Sequence, residues 1–228
     1  AARDPLLPHG PSRRQALATA AGLFAGANPA GAFENALPEA AKWADIPKKG
    51  KSKQIPAGIG LAARAEDDVL PDGLGDGKTL KVCGNGPNCF STTGDPDLDY
   101  WHMIPRWQLP PGVGRDEAMA QLKAVVAGYP PGQQGIDGGG FKIIDAKPEY
   151  LYAQFQSLKN GYIDDAEFAW PEYGEGMLVR SSSRIGYLDY GVNAKRLNWI
   201  GAQLVEKGWT IPQITAETHA EYFSENFR

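Results

Sequence analysis

A chain of 228 residues, 42% hydrophobic and 22% charged, has material for one sizeable core and little to spare for a second. Its 23 Lys and Arg against 27 Asp and Glu give a net charge of −4, with no basic groove interleaved with aromatics, which excludes a nucleic-acid-binding surface. No apolar run approaches the roughly 20 residues that cross a bilayer, and 28 Gly with 18 Pro imply long loops and few regular elements.

The amino-terminal segment reads as an address. Arg13-Arg14 open a cationic region, Ala16 to Ala27 form a mildly apolar stretch, and Ala30-Gly31-Ala32 supply small residues of the A-x-A kind. That order matches an export signal, and the apolar stretch is too short to span a membrane. The arginine pair and the Ala/Gly-built core resemble a twin-arginine signal, with cleavage expected after about Ala32. Residues 1–12 look like the tail of an earlier targeting segment. Two addresses in series are what a nucleus-encoded protein of the chloroplast thylakoid lumen requires. The bacterial periplasm is the alternative, and both compartments tolerate disulfides.

Residues 33–79 are expected to be an irregular extension, with a short helix over Phe33 to Asp45 interrupted by Pro38 and anchored by Trp43. Lys48 to Lys53 read as a solvated basic linker, and Gln54 to Lys81 as irregular surface chain. An α+β domain is expected over residues 80–209. Its first helix is predicted over Gly114 to Tyr129, where Asp116 and Glu117 suit the positive end and Met119, Leu122, Val126 and Tyr129 form one apolar stripe. Strand candidates follow at Phe141 to Ala146 continuing into Tyr150 to Ser157, then Tyr162 to Trp170, then Met177 to Arg184. Asn160-Gly161 is a hairpin signal. A second helix is predicted from about Asn193 to Lys207, stopped by Gly208. Residues 210–228 read as an acidic, partly apolar tail. The expected architecture is α+β: an antiparallel sheet of about three to five strands with two main helices on one face and a long irregular amino-terminal flank.

Two cysteines, Cys83 and Cys89, flank a turn containing Gly84, Gly86 and Pro87. In an oxidising compartment they predict a disulfide, and the spacing is poor for a metal, so no metal is expected; no cofactor is expected either. The denser signal is a set of charges inside apolar strands. Alternation puts Asp164 on one face of its strand and Asp165 and Glu167 on the other, with Arg180 and Arg184 opposed to Ser181 and Ser183 on the next strand. Buried polar groups need partners, and carboxylates on one strand beside arginines on its antiparallel neighbour supply them. The second helix, expected to be capped by Asn193, carries Lys195 and Arg196 in its first turn, where the macrodipole disfavours cations. That placement makes sense if they neutralise Asp189, an Asp of the sheet, or an anionic ligand.

Two readings therefore stand: a structural ion-pair and hydroxyl network, or an anion-binding pocket walled by carboxylates. RSSSR lacks the Gly-x-Ser-x-Gly frame of a hydrolase elbow, and His9, His102 and His219 have no partner pattern, so no catalytic residue is expected. The segment from Asp99 to Trp107 reads as an aromatic cluster covering a core edge, or as a partner-binding patch.

The blocks Pro87-Asn88-Cys89 with Ser91, Ile163-Asp164-Asp165-x-Glu167-Phe168, Val179-Arg180-Ser181-x-Ser183-Arg184-x-Gly186-Tyr187-x-Asp189 and Gly191-Val192-Asn193-x-Lys195-Arg196 resemble the uncharacterised-domain family 1499, found in bacteria and in plastid-targeted proteins. The resemblance covers about Val82 to Gly208 and implies a compact α+β domain with no assigned activity, cofactor or substrate. Together with the doubled address it leads to the expectation of a non-catalytic lumenal accessory protein. Such a protein would serve the assembly, stability or regulation of a photosynthetic membrane complex. A small anionic-ligand-binding protein or enzyme is the alternative.

Overall fold

Helical periodicity between residues 114 and 128 becomes helix α1, Arg115–Ala127, held between Gly114 and Gly128. Its stripe of Met119, Leu122, Val126 and the following Tyr129 is buried as the spacing predicts. In the computed structural model, which describes residues 32–46, 53–63 and 77–228, this helix lies against one face of an antiparallel sheet. The export segment read over residues 1–32 falls outside the described residues except for Ala32, and most of the basic linker falls outside them too.

Two short strands, β1 (Ala62–Ala63) and β2 (Lys78–Thr79), pair with each other. The main sheet is made of β3 (Cys89–Ser91), β4 (Phe141–Ala146), β5 (Tyr150–Gln156), β6 (Ile163–Ala169) and β7 (Leu178–Ser183), in the order β3-β7-β6-β5-β4. β4 to β7 run as consecutive hairpins, and β3 joins β7 from far upstream as the edge. The run predicted to continue from Ala146 into Tyr150 doubles back as a hairpin, closed by the Lys147 amide on the Tyr150 carbonyl at 2.8 Å. β3 has no periodicity of its own; pairing with Arg180, Ser181 and Ser182 makes it a strand.

Helix α2 spans Val192–Val205 and packs beside α1. The two helices and the sheet face carrying Leu151, Ala153, Phe155, Ala166, Phe168 and Val179 enclose the main core. Each fully buried Leu or Phe there contributes about 1.5–3 kcal/mol of apolar transfer. The aromatic segment at 99–107 serves this core: Ile104 and Trp107 are buried, with Trp107 5.6 Å from Phe168. Residues read as a tail include a third helix, α3, Ala220–Asn226, which drives Tyr222 into the core against Phe90.

The amino-terminal extension is fastened at two places. Phe33 and Leu37 donate backbone hydrogen bonds to the Gly139 and Gly138 carbonyls, and the Phe141 amide donates to Asn35 Oδ1 at 2.8 Å. Gly140, at φ 88°, is required there because a Cβ would strike Asn35 and the Ala36 nitrogen. The helix expected around Pro38 is a 3₁₀ turn, Pro38–Trp43, with proline at its start. Farther on, Ile59 and Leu61 pack with Leu80, Tyr150, Tyr152 and Leu178 over the sheet face opposite the helices. Both sheet faces are thus covered, which explains why β5 and β6 are buried along their whole length.

Candidate functional site

Strand alternation sends the charged residues of β6 to opposite sides of the sheet, and each side builds its own network. On the side away from the helices, Glu167 stands directly opposite Arg180 across the β6–β7 ladder. Glu167 Oε1 accepts from Tyr150 Oη at 2.8 Å and from the Gly60 amide at 2.6 Å, while Oε2 meets Arg180 Nη1 at 3.3 Å. The pair is loose at the arginine, whose Nε is buried without a hydrogen bond. Two residues along, Arg184 grips Asp165 with both arms, Nε to Oδ2 at 2.8 Å and Nη2 to Oδ1 at 2.7 Å. Tyr152 donates to the same carboxylate at 2.5 Å and accepts from Gln154 at 2.8 Å. The segment read as plain surface chain therefore caps a buried carboxylate through Gly60.

On the helix side the centre is Arg196, fully buried on α2. Its five N–H groups all have acceptors. Nε and Nη2 fork onto Asp137 at 2.9 and 2.5 Å, Nη2 also reaches Asp164 at 2.8 Å, and Nη1 donates to Asn193 Oδ1 at 2.8 Å and Ser181 Oγ at 3.2 Å. The guanidinium also lies 4.6 Å from the Phe155 ring centre, a cation–π contact in a dry setting. Asp137 takes a further hydrogen bond from Tyr129 at 2.7 Å.

Asn193 does not cap α2. Gly191, at φ 76°, holds the cap position, and the Phe227 ring leaves a Cβ there no room. Asp189 does the capping work, accepting from the Gly191 and Asn193 amides at 3.0 and 2.9 Å and from Tyr222 Oη. Asn193 is instead a buried junction, accepting from Ser181 and donating to Ser183 Oγ, the Asn88 carbonyl and Asp189. Asn226 closes the frame from α3. Its Oδ1 accepts the Asp189 and Tyr190 amides and its Nδ2 donates to the Pro87 carbonyl at 2.7 Å.

Of the sequence-predicted residues, Asp164, Ser181, Ser183, Asp189, Asn193 and Arg196 meet on the helix side, and Asp165, Glu167, Arg180 and Arg184 on the other. Lys195 joins neither and makes no ion pair among the described residues. Sequence reasoning missed Asp137, Tyr222 and Asn226. Only Asp137 had a signal, an isolated acid in the glycine-rich run GIDGGG. Cys83 and Cys89 are disulfide-bonded, with Cα atoms 5.7 Å apart. Among the described residues no trio of His, Cys, Asp or Glu is arranged to hold a metal. The two described histidines bond to backbone carbonyls, His102 to Cys89 and His219 to Met103, and neither contacts a serine of the network.

Burial raises the carboxyl pKa of both Asp137 and Asp189; Arg196 counteracts this at Asp137, and the Tyr222 and Asn193 hydrogen bonds at Asp189. Asp164 adds like-charge repulsion to each. Burial works against the charge on Arg196, but Asp137 and Asp164 more than offset it, holding the guanidinium well above its ordinary value. Tyr129, Tyr150, Tyr152 and Tyr222 are held protonated by burial and by the carboxylates they donate to.

A cleft opens onto the helix-side network. It measures about 340 Å³ and lies between residues 135–137, 157–164 and 183–192, with Asp137, Asp164 and Asp189 in its lining.

Residues 79–204, more than half the chain, match the family described as "Protein of unknown function (DUF1499)". The chain belongs to that family. Neither the curated proteins nor the solved structures yield a match. The DUF1499 span runs from the second short strand almost to the end of α2, and so contains every charged member of both networks. Tyr222 and Asn226, which brace Asp189 from α3, lie beyond it.

Proposed function

We propose that this protein is a non-catalytic accessory module of the thylakoid lumen that docks on a membrane-protein complex and supports its assembly or stability. The observation that carries this reading is one rigid aromatic corner. Tyr187, Tyr190 and Phe227 are 57, 65 and 56% exposed, and Phe227 lies against Gly191 beside Tyr190. Behind them Asp189, Asn193, Tyr222 and Asn226 fix the backbone through hydrogen bonds. Exposed tyrosines held on a stiff frame are favourable interface anchors, because little side-chain or loop freedom is lost on docking. The export signal read at residues 1–32 supports the compartment, and a disulfide is at home there.

Affinity purification from thylakoids with mass spectrometry tests it. The unmutated chain is expected to recover a membrane complex. A variant combining Tyr187→Ser, Tyr190→Asn and Phe227→Ser should recover several-fold less; Asn suits residue 190, whose φ is 56°. Recovery of the unmutated chain only as a free monomer under gentle lysis would overturn the proposal.

A further inference from the structure

Asp137 and Asp189 have both carboxylate oxygens engaged, by Arg196 and Tyr129 in one case and by Tyr222, Asn193 and Gly191 in the other. Asp164 does not. Its Oδ2 meets Arg196, but Oδ1 has no hydrogen-bond partner among the described residues, although Asp164 is only 8% exposed. Its remaining exposure opens into the 340 Å³ cleft. That oxygen keeps contact with solvent in the cleft and can accept from a donor that a ligand brings there.

The surroundings define that group. Asp137, Asp164 and Asp189 all stand in the lining, with Asp164 repelling each of the other two, against the cations of Arg196 and Lys159, so the acids outnumber the cations. Lys159, also in the lining, places its ammonium 5.3 Å from the Trp43 ring centre. The rest of the lining is apolar, with Leu158, Ile185 and Leu188 partly open to solvent and Ile136 behind them. Two of the three described non-glycine residues at positive φ, Asp137 and Tyr190, line the cleft, and the third, Gln134, adjoins it. Backbone held in such conformations is over-determined by its surroundings and keeps the cleft's shape fixed.

We propose that this cleft binds a small organic cation, an ammonium on a compact apolar or aromatic body, whose N–H groups donate to Asp164 while the body lies against Leu158, Ile185 and Leu188. The volume suits a ligand of modest size. Charge assistance makes the ammonium–carboxylate contact stronger than a neutral hydrogen bond at the same place. This site shares Asp189 and Tyr190 with the aromatic docking corner, and it does not depend on the thylakoid reading.

The test uses the 228-residue chain and three probes of matched shape: 2-phenylethylammonium, 2-phenylethanol and 3-phenylpropanoate. Amide chemical shifts of Leu158, Asp164, Ile185 and Leu188 are followed during titration. The ammonium is expected to shift them saturably, about tenfold more tightly than the alcohol, with no saturable shift from the carboxylate. Ile185→Trp, which fills the cleft without touching the Asp164–Arg196 contact, should abolish binding. Asp164→Asn should weaken the ammonium about tenfold and leave the alcohol nearly unchanged. No saturable shift with the ammonium, equal binding of ammonium and carboxylate, or unaltered binding in Ile185→Trp would each overturn the proposal. The order of the three probes on the unmutated chain decides the matter even where a variant fails to fold.

Discussion

Arg196 is a side chain whose removal leaves debts on three elements at once. Arg196→Met would leave Asp137 and Asp164 buried without a counter-charge, and breaking a buried pair in this way costs about 3–5 kcal/mol. Urea denaturation should show that loss. Arg196→Lys should recover only part of it, because an ammonium has three donors and no planar fork to match Asp137. The pair Glu167–Arg180 is looser, at 3.3 Å with the arginine Nε unpaired, so Arg180→Met should cost markedly less than Arg196→Met. A second residue-scale prediction concerns pH. Burial holds the imidazoles of His102 and His219 below their ordinary value. Between about 6.5, where unfolded histidine titrates, and those lowered folded values, the unfolded chain binds more protons, so stability falls as pH falls. Asp137 and Asp189, raised by burial, act in the opposite sense. As pH falls through their folded values toward the ordinary carboxylate range, the folded state takes up protons first and stability is regained. The urea midpoint should therefore drop on acidification below about pH 6.5. Replacing both histidines by Gln should flatten that drop; an undiminished drop would assign it to other groups.

At the scale of elements, α3 does more than its seven residues suggest. Asn226 holds the Asp189 and Tyr190 amides, and Tyr222 braces the Asp189 carboxylate that caps α2. Asn226→Ala should cost about 1–3 kcal/mol, the usual penalty for buried groups left without partners. Hydrogen exchange should accelerate at residues 189 and 190 while the amides of β5 and β6 keep their protection. The elements also show where the sequence was readable. Asp164, Asp165, Glu167, Arg180 and Arg184 declared themselves because a strand's two-residue period assigns each to a face, and a neighbouring strand of opposite charge supplies the partner. Helix α1 was readable for the equivalent reason, a stripe at helical spacing. Asp137 was not, because its partner lies on α2 with four of the sheet's five strands between them in sequence, and local pattern does not say which distant residue such an acid meets. β3 escaped because three residues show no period, and α3 because its burial depends on Phe90, a residue of that same unpredicted edge. The Asn193 cap was misassigned since an Asn before an apolar run is a start signal. The start lies two residues earlier, at a glycine whose left-handed backbone only the fold reveals.

For the whole molecule, the disulfide closes a short turn and not a long loop. Chain-entropy reasoning gives such a ring about 2 kcal/mol, modest beside the core. Replacing Cys83 and Cys89 by Ser should lower the unfolding free energy from urea denaturation by that amount and leave the far-ultraviolet dichroism unchanged. A loss of most of the structure would mean that the turn is indispensable to the sheet edge. The connectivity has a further consequence for how the chain assembles. β4 to β7 follow one another as hairpins and can pair as soon as they exist, whereas β3 finds its berth only on β7, nearly the whole domain downstream. Synthesis must therefore run past Ser183 before the stretch bearing both cysteines has anywhere to settle. Until then it is an unseated edge that the rest of the molecule has yet to receive.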